Sequence, residues 1–161
     1  MAKIKSCDGQ SSITFELNLH NGEGFIYDKS QADYLNWIPY NFLLTVEKNN
    51  YILDRPGIAF SLEGIKIFLS RLQAVIDERN ITREYKEHSY TGSEAEFTIC
   101  LENTDDNYEY EIVLVQLWIN AACLENEGAG YSIGFNFMIK YEDLKRFREE
   151  LMDELTEILK D

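Results

Sequence analysis

Two stretches of helical periodicity, set among stretches that alternate every second residue, confine this 161-residue chain to one class of fold. In the first, Leu62, Ile65, Phe68, Leu69, Leu72, Val75 and Ile76 recur at the spacing of a helix face, while Glu63, Lys66, Arg71 and Asp77 fall off it. Ser61 stands just ahead as an N-cap, and the helix is expected to end near Arg79-Asn80. The second runs over residues 141–160, with Leu144, Phe147, Leu151, Leu155, Ile158 and Leu159 as its apolar stripe. Glu142 and Asp143 sit at the positive end of its dipole and Lys160 at the negative end.

The alternating stretches read as strands. Residues 12–20 place Ile13, Phe15, Leu17 and Leu19 on one face, and Asn21-Gly22-Glu23-Gly24 follows as a turn. Further strands are expected at 41–47 and 51–54, joined by a hairpin turn at Asn49-Asn50. In the second half, Ala95, Phe97, Ile99 and Leu101 alternate against Glu94, Glu96, Thr98, Cys100 and Glu102. Residues 108–120 are apolar on both faces, and Tyr131, Ile133, Phe135, Phe137 and Ile139 alternate again. Residues 104–107 read as a turn and 121–130 as a loop. Short turns between successive strands imply antiparallel pairing. The expected class is therefore α+β: a mostly antiparallel sheet of about five to six strands with two amphipathic helices. Pro39 and Pro56 are the only prolines and no Ser/Gly linker divides the chain, so residues 1–161 read as a single domain.

Charge is unevenly distributed. Residues 1–80 hold 8 basic and 10 acidic side chains, residues 81–161 hold 7 and 19, and the formal total is −14. From Glu87 to Ile139 there is no Lys or Arg, but ten Asp and Glu. A field of one sign repels nucleic acid and anionic membrane and attracts a basic partner. Nucleic-acid binding, which needs cations to displace phosphate counterions, is not expected.

Register decides where those acids point. If 104–107 closes an even-length hairpin, Ile99 lies opposite Ile112 and Phe97 opposite Leu114. That face, with Trp118, then takes a helix, and an odd loop swaps the faces of the long strand. In either case one face carries carboxylates around an apolar centre. Glu94, Glu96, Glu102, Asp105, Asp106, Glu109 and Glu111 are expected to form the charged, partner-binding surface, with Tyr108 as an aromatic anchor. The alternative is acids dispersed over the whole surface for solubility.

Catalytic chemistry finds little support. His20 and His88 lack the spacing of a metal motif, and Cys7, Cys100 and Cys123 form no C-x-x-C pair, so three reduced thiols are expected. Nothing places His88 beside Cys100 or Cys123 as a nucleophile pair. Gly22-Glu23-Gly24 lacks the Gly-Lys-Ser/Thr of a phosphate loop, and Asp105-Asp106-Asn107 lacks the Gly and distal Glu of a calcium loop. Glu109 and Glu111 have no polar companions for acid–base work. The chain is expected to be no enzyme and to use no cofactor or metal. Met1-Ala2-Lys3-Ile4-Lys5 leads into no apolar run, so no signal peptide or membrane span is expected, and the cytoplasm is the expected location.

A set of packing positions carries a family resemblance. Asp33-Tyr34-Leu35-Asn36-Trp37 precedes a strand, and Phe60-Ser61-Leu62-Glu63-Gly64-Ile65 opens a helix continuing Phe68-Leu69-Ser70-Arg71-Leu72. Ala95-Glu96-Phe97-Thr98-Ile99, Leu117-Trp118-Ile119-Asn120, Gly134-Phe135-Asn136-Phe137 and the closing Leu144, Phe147, Leu151 helix follow. This order, over nearly the whole chain, resembles the WapI-type immunity proteins, small cytoplasmic proteins of bacteria associated with polymorphic or contact-dependent toxins. The resemblance implies binding and neutralising a cognate toxin, often a nuclease, and brings no active-site residues with it. A basic toxin is a partner that the acidic half suits. The other expectations are a general interaction or structural module, homodimeric through a sheet edge or face, and an enzyme of unrecognised type.

Overall fold

The structure, a computed structural model, describes residues 1–160 apart from 18, 21–22, 25, 54–57, 83–85, 105–110 and 126–130; of 19, 20, 23, 24, 82 and 125 it describes the backbone alone. Alternation in the first third of the chain builds one sheet. Its strands are β1 (Ala2–Lys5), β2 (Ser11–Leu17), β5 (Ile38–Val46) and β6 (Asn49–Leu53), antiparallel in the order β1-β2-β5-β6. Between β2 and β5 lies a small pair, β3 (Leu19–His20) with β4 (Glu23–Gly24), and β7 (Ala59–Phe60) pairs with the start of β5. Helix α1 (Leu62–Asp77) follows, then a π-helical turn, Glu78–Thr82. The second sheet holds β8 (His88–Thr91), β9 (Phe97–Asn103), β10 (Ile112–Asn120) and β11 (Ser132–Lys140), in the order β11-β10-β9-β8. A short α2 (Ala121–Glu125) leaves β10, and α3 (Tyr141–Ile158) closes the chain. The class is α+β, with the strands divided between two antiparallel sheets.

Both sheets and both long helices share one core. Ile13, Phe15, Phe42 and Leu44 from the first sheet meet Phe97, Ile99, Val115 and Leu117 from the second, all at most 4% exposed. The α1 stripe supplies Ile65, Phe68, Leu72 and Val75, and the α3 stripe Leu144, Phe147, Leu151 and Leu155. Phe15 stands at the junction. Its ring centroid lies 4.9 Å from Phe42, 5.5 Å from Phe97, 5.6 Å from Phe68 and 6.0 Å from Phe147, so one side chain touches both sheets and both helices. Tilted and edge-on ring pairs at such distances add attraction beyond the area they bury.

Several local expectations are met in detail. Ser61 caps α1, its hydroxyl accepting from the Gly64 amide at 2.9 Å. Other expectations are corrected. The hairpin between β5 and β6 turns at Glu47-Lys48, not Asn49-Asn50: Val46 pairs with Asn49, and Glu47 takes the positive φ (53°). Helix α1 stops at Asp77 and widens into the π turn, where the Glu78 carboxylate lies 2.7 Å from His88 Nε2. Strand β8, which begins at His88, and strand β1 were both not expected.

The register of the second sheet swaps a face. Ile99 lies opposite Leu117 and Phe97 opposite Ile119, not opposite Ile112 and Leu114. Val113, Val115, Leu117 and Ile119 therefore point into the core with Phe97, Ile99 and Leu101, and Trp118 points outward. The turn expected at 104–107 lies outside the described residues, Thr104 apart. Truncating Phe15 to Ala is expected to lower the unfolding free energy by about 3–5 kcal/mol, since the remaining void borders four elements. Urea denaturation followed by circular dichroism measures it, and a loss below about 1 kcal/mol would show that the ring is no shared keystone.

Candidate functional site

The outer face of the second sheet is built wholly from the acidic half of the chain. Cross-strand pairing arranges it in rows: Glu102, Leu114 and Met138; Cys100, Gln116 and Asn136; Thr98, Trp118 and Gly134. No described helix packs over these rows. Trp118 is 36% exposed and Met138 47%; Leu114, opposite Met138, and Ile112, beyond it, are half-buried, and Gln116 and Asn136 separate them from Trp118. The Trp118 indole lies over Gly134, where an added Cβ would sit 3.0 Å from Nε1, so the glycine makes room for the ring. At the far end, Ile112, Met138, Glu111, Lys140, Glu142 and Cys7 line a pocket of about 360 Å³.

The expected acidic residues divide three ways. Glu102 and Glu111 are exposed beside this apolar strip, and Glu94 is exposed in the turn from β8 to β9. Asp105, Asp106, Tyr108 and Glu109 lie outside the described residues. Glu96 is a correction: it is 1% exposed and belongs to the interior. Its carboxylate accepts a short hydrogen bond from the Tyr40 hydroxyl and another from the Glu94 amide at 2.9 Å. Burial, then the neighbouring Glu96 charge, pushes the Tyr40 hydroxyl far above its ordinary pKa, and the same two causes raise Tyr90. Tyr40 therefore remains a donor at any physiological pH. The turn closes through Ala95 N to Gly92 O at 2.9 Å and Gly92 N to Phe97 O at 2.9 Å, with Ala95 at φ 53°. A Cβ on Gly92 would fall 2.3 Å from the Glu96 carboxylate, so the glycine is required by that close approach.

Sequence reasoning put Glu96 outside because it alternates with Phe97. The strand, however, begins only at Phe97, and the turn folds the residue before it inward. The even-length hairpin would have turned Trp118 inward; the observed register is that of the odd loop, and it leaves Trp118 on the outer face.

His88 and Cys100 are kept apart. Register places His88 opposite Leu101 and Cys100 opposite Ser89, so imidazole and thiol project from opposite faces of the sheet. Burial holds the Cys100 thiol above its usual pKa, and burial does the same to Cys7. Among the described residues no three His, Cys, Asp or Glu converge as a metal site, and no helix is long and apolar enough to cross a membrane. A groove of about 510 Å³ lies between α1 and α3, lined by Leu69, Ala74, Met152 and Leu155 with Lys66 and Arg148; none of the expected acidic site residues borders it. Comparison with family models, curated proteins and solved structures finds no match for this chain.

Replacing Glu96 with Ala strands the Tyr40 hydroxyl and the Glu94 amide. It is expected to destabilise the fold by about 2–4 kcal/mol. Thermal unfolding reads this directly, and a melting temperature equal to wild type would mean that the carboxylate does not anchor the turn.

Proposed function

We propose that this chain is a non-catalytic, immunity-type protein that binds a basic partner protein, a toxin of the nuclease kind, and neutralises it. The observation that supports this reading best is the outer face of the second sheet: Leu114 and Met138 with Glu102 and Glu111 beside them, and the exposed Trp118 two rows further along, beyond Gln116 and Asn136. Apolar and aromatic groups of this kind form the dry centre of protein interfaces, and charges around them act as the rim. The lopsided charge, −12 over residues 81–161, gives the approach its direction.

Charge and apolar contact would do separate work. A negative face raises encounter with a cationic partner from a neutral rate of about 10⁵–10⁶ M⁻¹s⁻¹ toward 10⁸ M⁻¹s⁻¹ at low salt. Trp118 and Met138 would hold the complex once formed, and so set the dissociation rate. A nuclease domain carries cations to hold phosphates, which makes it a partner of the right sign. The cytoplasm, where an immunity protein protects its own cell, belongs to the same proposal.

Co-expression with a candidate toxin tests the reading through co-purification and rescue of growth. Reversing Glu102 and Glu111 to Lys is expected to slow association by about tenfold or more at low salt and to flatten its salt dependence, with dissociation little changed. Trp118→Ala is expected to act the other way, speeding dissociation and leaving the association rate within about twofold. Surface plasmon resonance separates the two effects. An unchanged association rate in the charge-reversed variant would remove this face as the interface.

A further inference from the structure

We propose that a second copy of this chain adds to the free edge of β11, joining two four-stranded sheets into one. Strand edges are templates for pairing, and proteins usually shield them. Of the four edges here, one is covered, one has a helix against its strand and one is short. Carboxylates of α3 cover the first sheet beside β1: the Lys3 amide donates to Glu150 at 3.1 Å and the Leu17 amide to Glu154 at 2.8 Å. β6 runs against α2, and β8 has only four residues. β11 is nine residues long, and among the described residues it is shielded only at its end, where Ser6 bridges Ile139 and the Cys7 amide donates to Met138 O at 2.7 Å.

That single bond fixes which backbone groups face outward. Because Met138 bonds away from β10, so do the residues alternating with it: Asn136, Gly134 and Ser132. No described residue takes up their outward amides and carbonyls. On the inner face Ile133, Phe135 and Phe137 remain only half-buried, whereas Val115, Leu117 and Ile119, one strand further in, are at most 1% exposed. The edge is thus open in both its hydrogen bonds and its apolar cover.

Charge selects the occupant. Two chains of formal charge −14 repel each other over most of their surfaces, yet Ser132 to Ile139 carries no charged side chain. Antiparallel self-pairing about Gly134 sets Ser132 opposite Asn136 of the second copy and Gly134 opposite its own equivalent, each pair exchanging two backbone bonds. The two Trp118 indoles, each lying over its own Gly134, then meet across the axis. A ladder this short buries less than a standard interface, so a dissociation constant on the order of 10–100 µM is expected.

Sedimentation velocity over about 5–300 µM protein, in about 50 and 500 mM NaCl, tests this without any partner. Dimer is expected to accumulate with concentration and to tighten several-fold at high salt, because screening relieves like-charge repulsion. A complex with a basic partner would weaken under the same change, so the two proposals fail separately. Asn136→Pro, which removes an outward amide that the β10 ladder does not use, is expected to abolish the dimer. The exposed double change Ser132→Asp with Asn136→Asp sets like charges opposite each other and is expected to weaken it at least about tenfold at low salt, whatever the proline does to folding. A wild-type chain that stays monomeric at the highest concentration in both salts overturns the proposal. So does a double variant that dimerises as well as wild type.

Discussion

Phe15 couples parts of the chain that have no backbone connection to each other. Strands β2 and β9 belong to different sheets, and α1 and α3 are separated by the whole second sheet in sequence, yet the ring of Phe15 packs against Phe42, Phe97, Phe68 and Phe147. Neither sheet can bury its inner face alone. Each needs the other and the helices, so stability here is cooperative: loosening one element exposes apolar surface on the rest. The outer face of the second sheet rests on that shared core, because Val113, Val115, Leu117 and Ile119 of β10 are buried beneath it.

The class of fold and most of its core were legible in the sequence, for a simple physical reason. Helical and strand periodicities report which side of an element avoids water, and Ile65, Phe68, Leu72, Leu144, Phe147 and Leu151 all lie where their spacing put them. Pairing was not legible. Register between β9 and β10 depends on residues across a turn, and both faces of β10 are apolar, so periodicity could not distinguish inside from outside. β1 and β8 escaped notice because four residues give too little alternation to stand out. Of the expected acidic surface, Glu94, Glu102 and Glu111 are at the surface, and Glu96 is not. A positive φ at Ala95 turns the chain just before the strand, and spacing does not reveal a backbone twist.

Acidic side chains in this protein serve two structural roles before any recognition. Glu150 and Glu154 quieten a sheet edge by accepting from its free amides, and Glu78 joins the π turn to the start of β8 through His88. A few of the carboxylates are therefore committed to the frame. Glu102 and Glu111, beside Leu114 and Met138, are exposed instead, where another molecule can reach them.

The Gly92–Glu96–Tyr40 cluster bears on how such a chain can diverge. Gly92 cannot acquire a side chain while Glu96 occupies the space above it, and Glu96 cannot be lost without orphaning the hydroxyl of Tyr40. These three positions are tied to one another and would have to be inherited as a set. Glu102, Glu111 and Trp118 carry no such obligation, so descendants of this sequence could rewrite what the surface recognises while its supporting turn stays frozen.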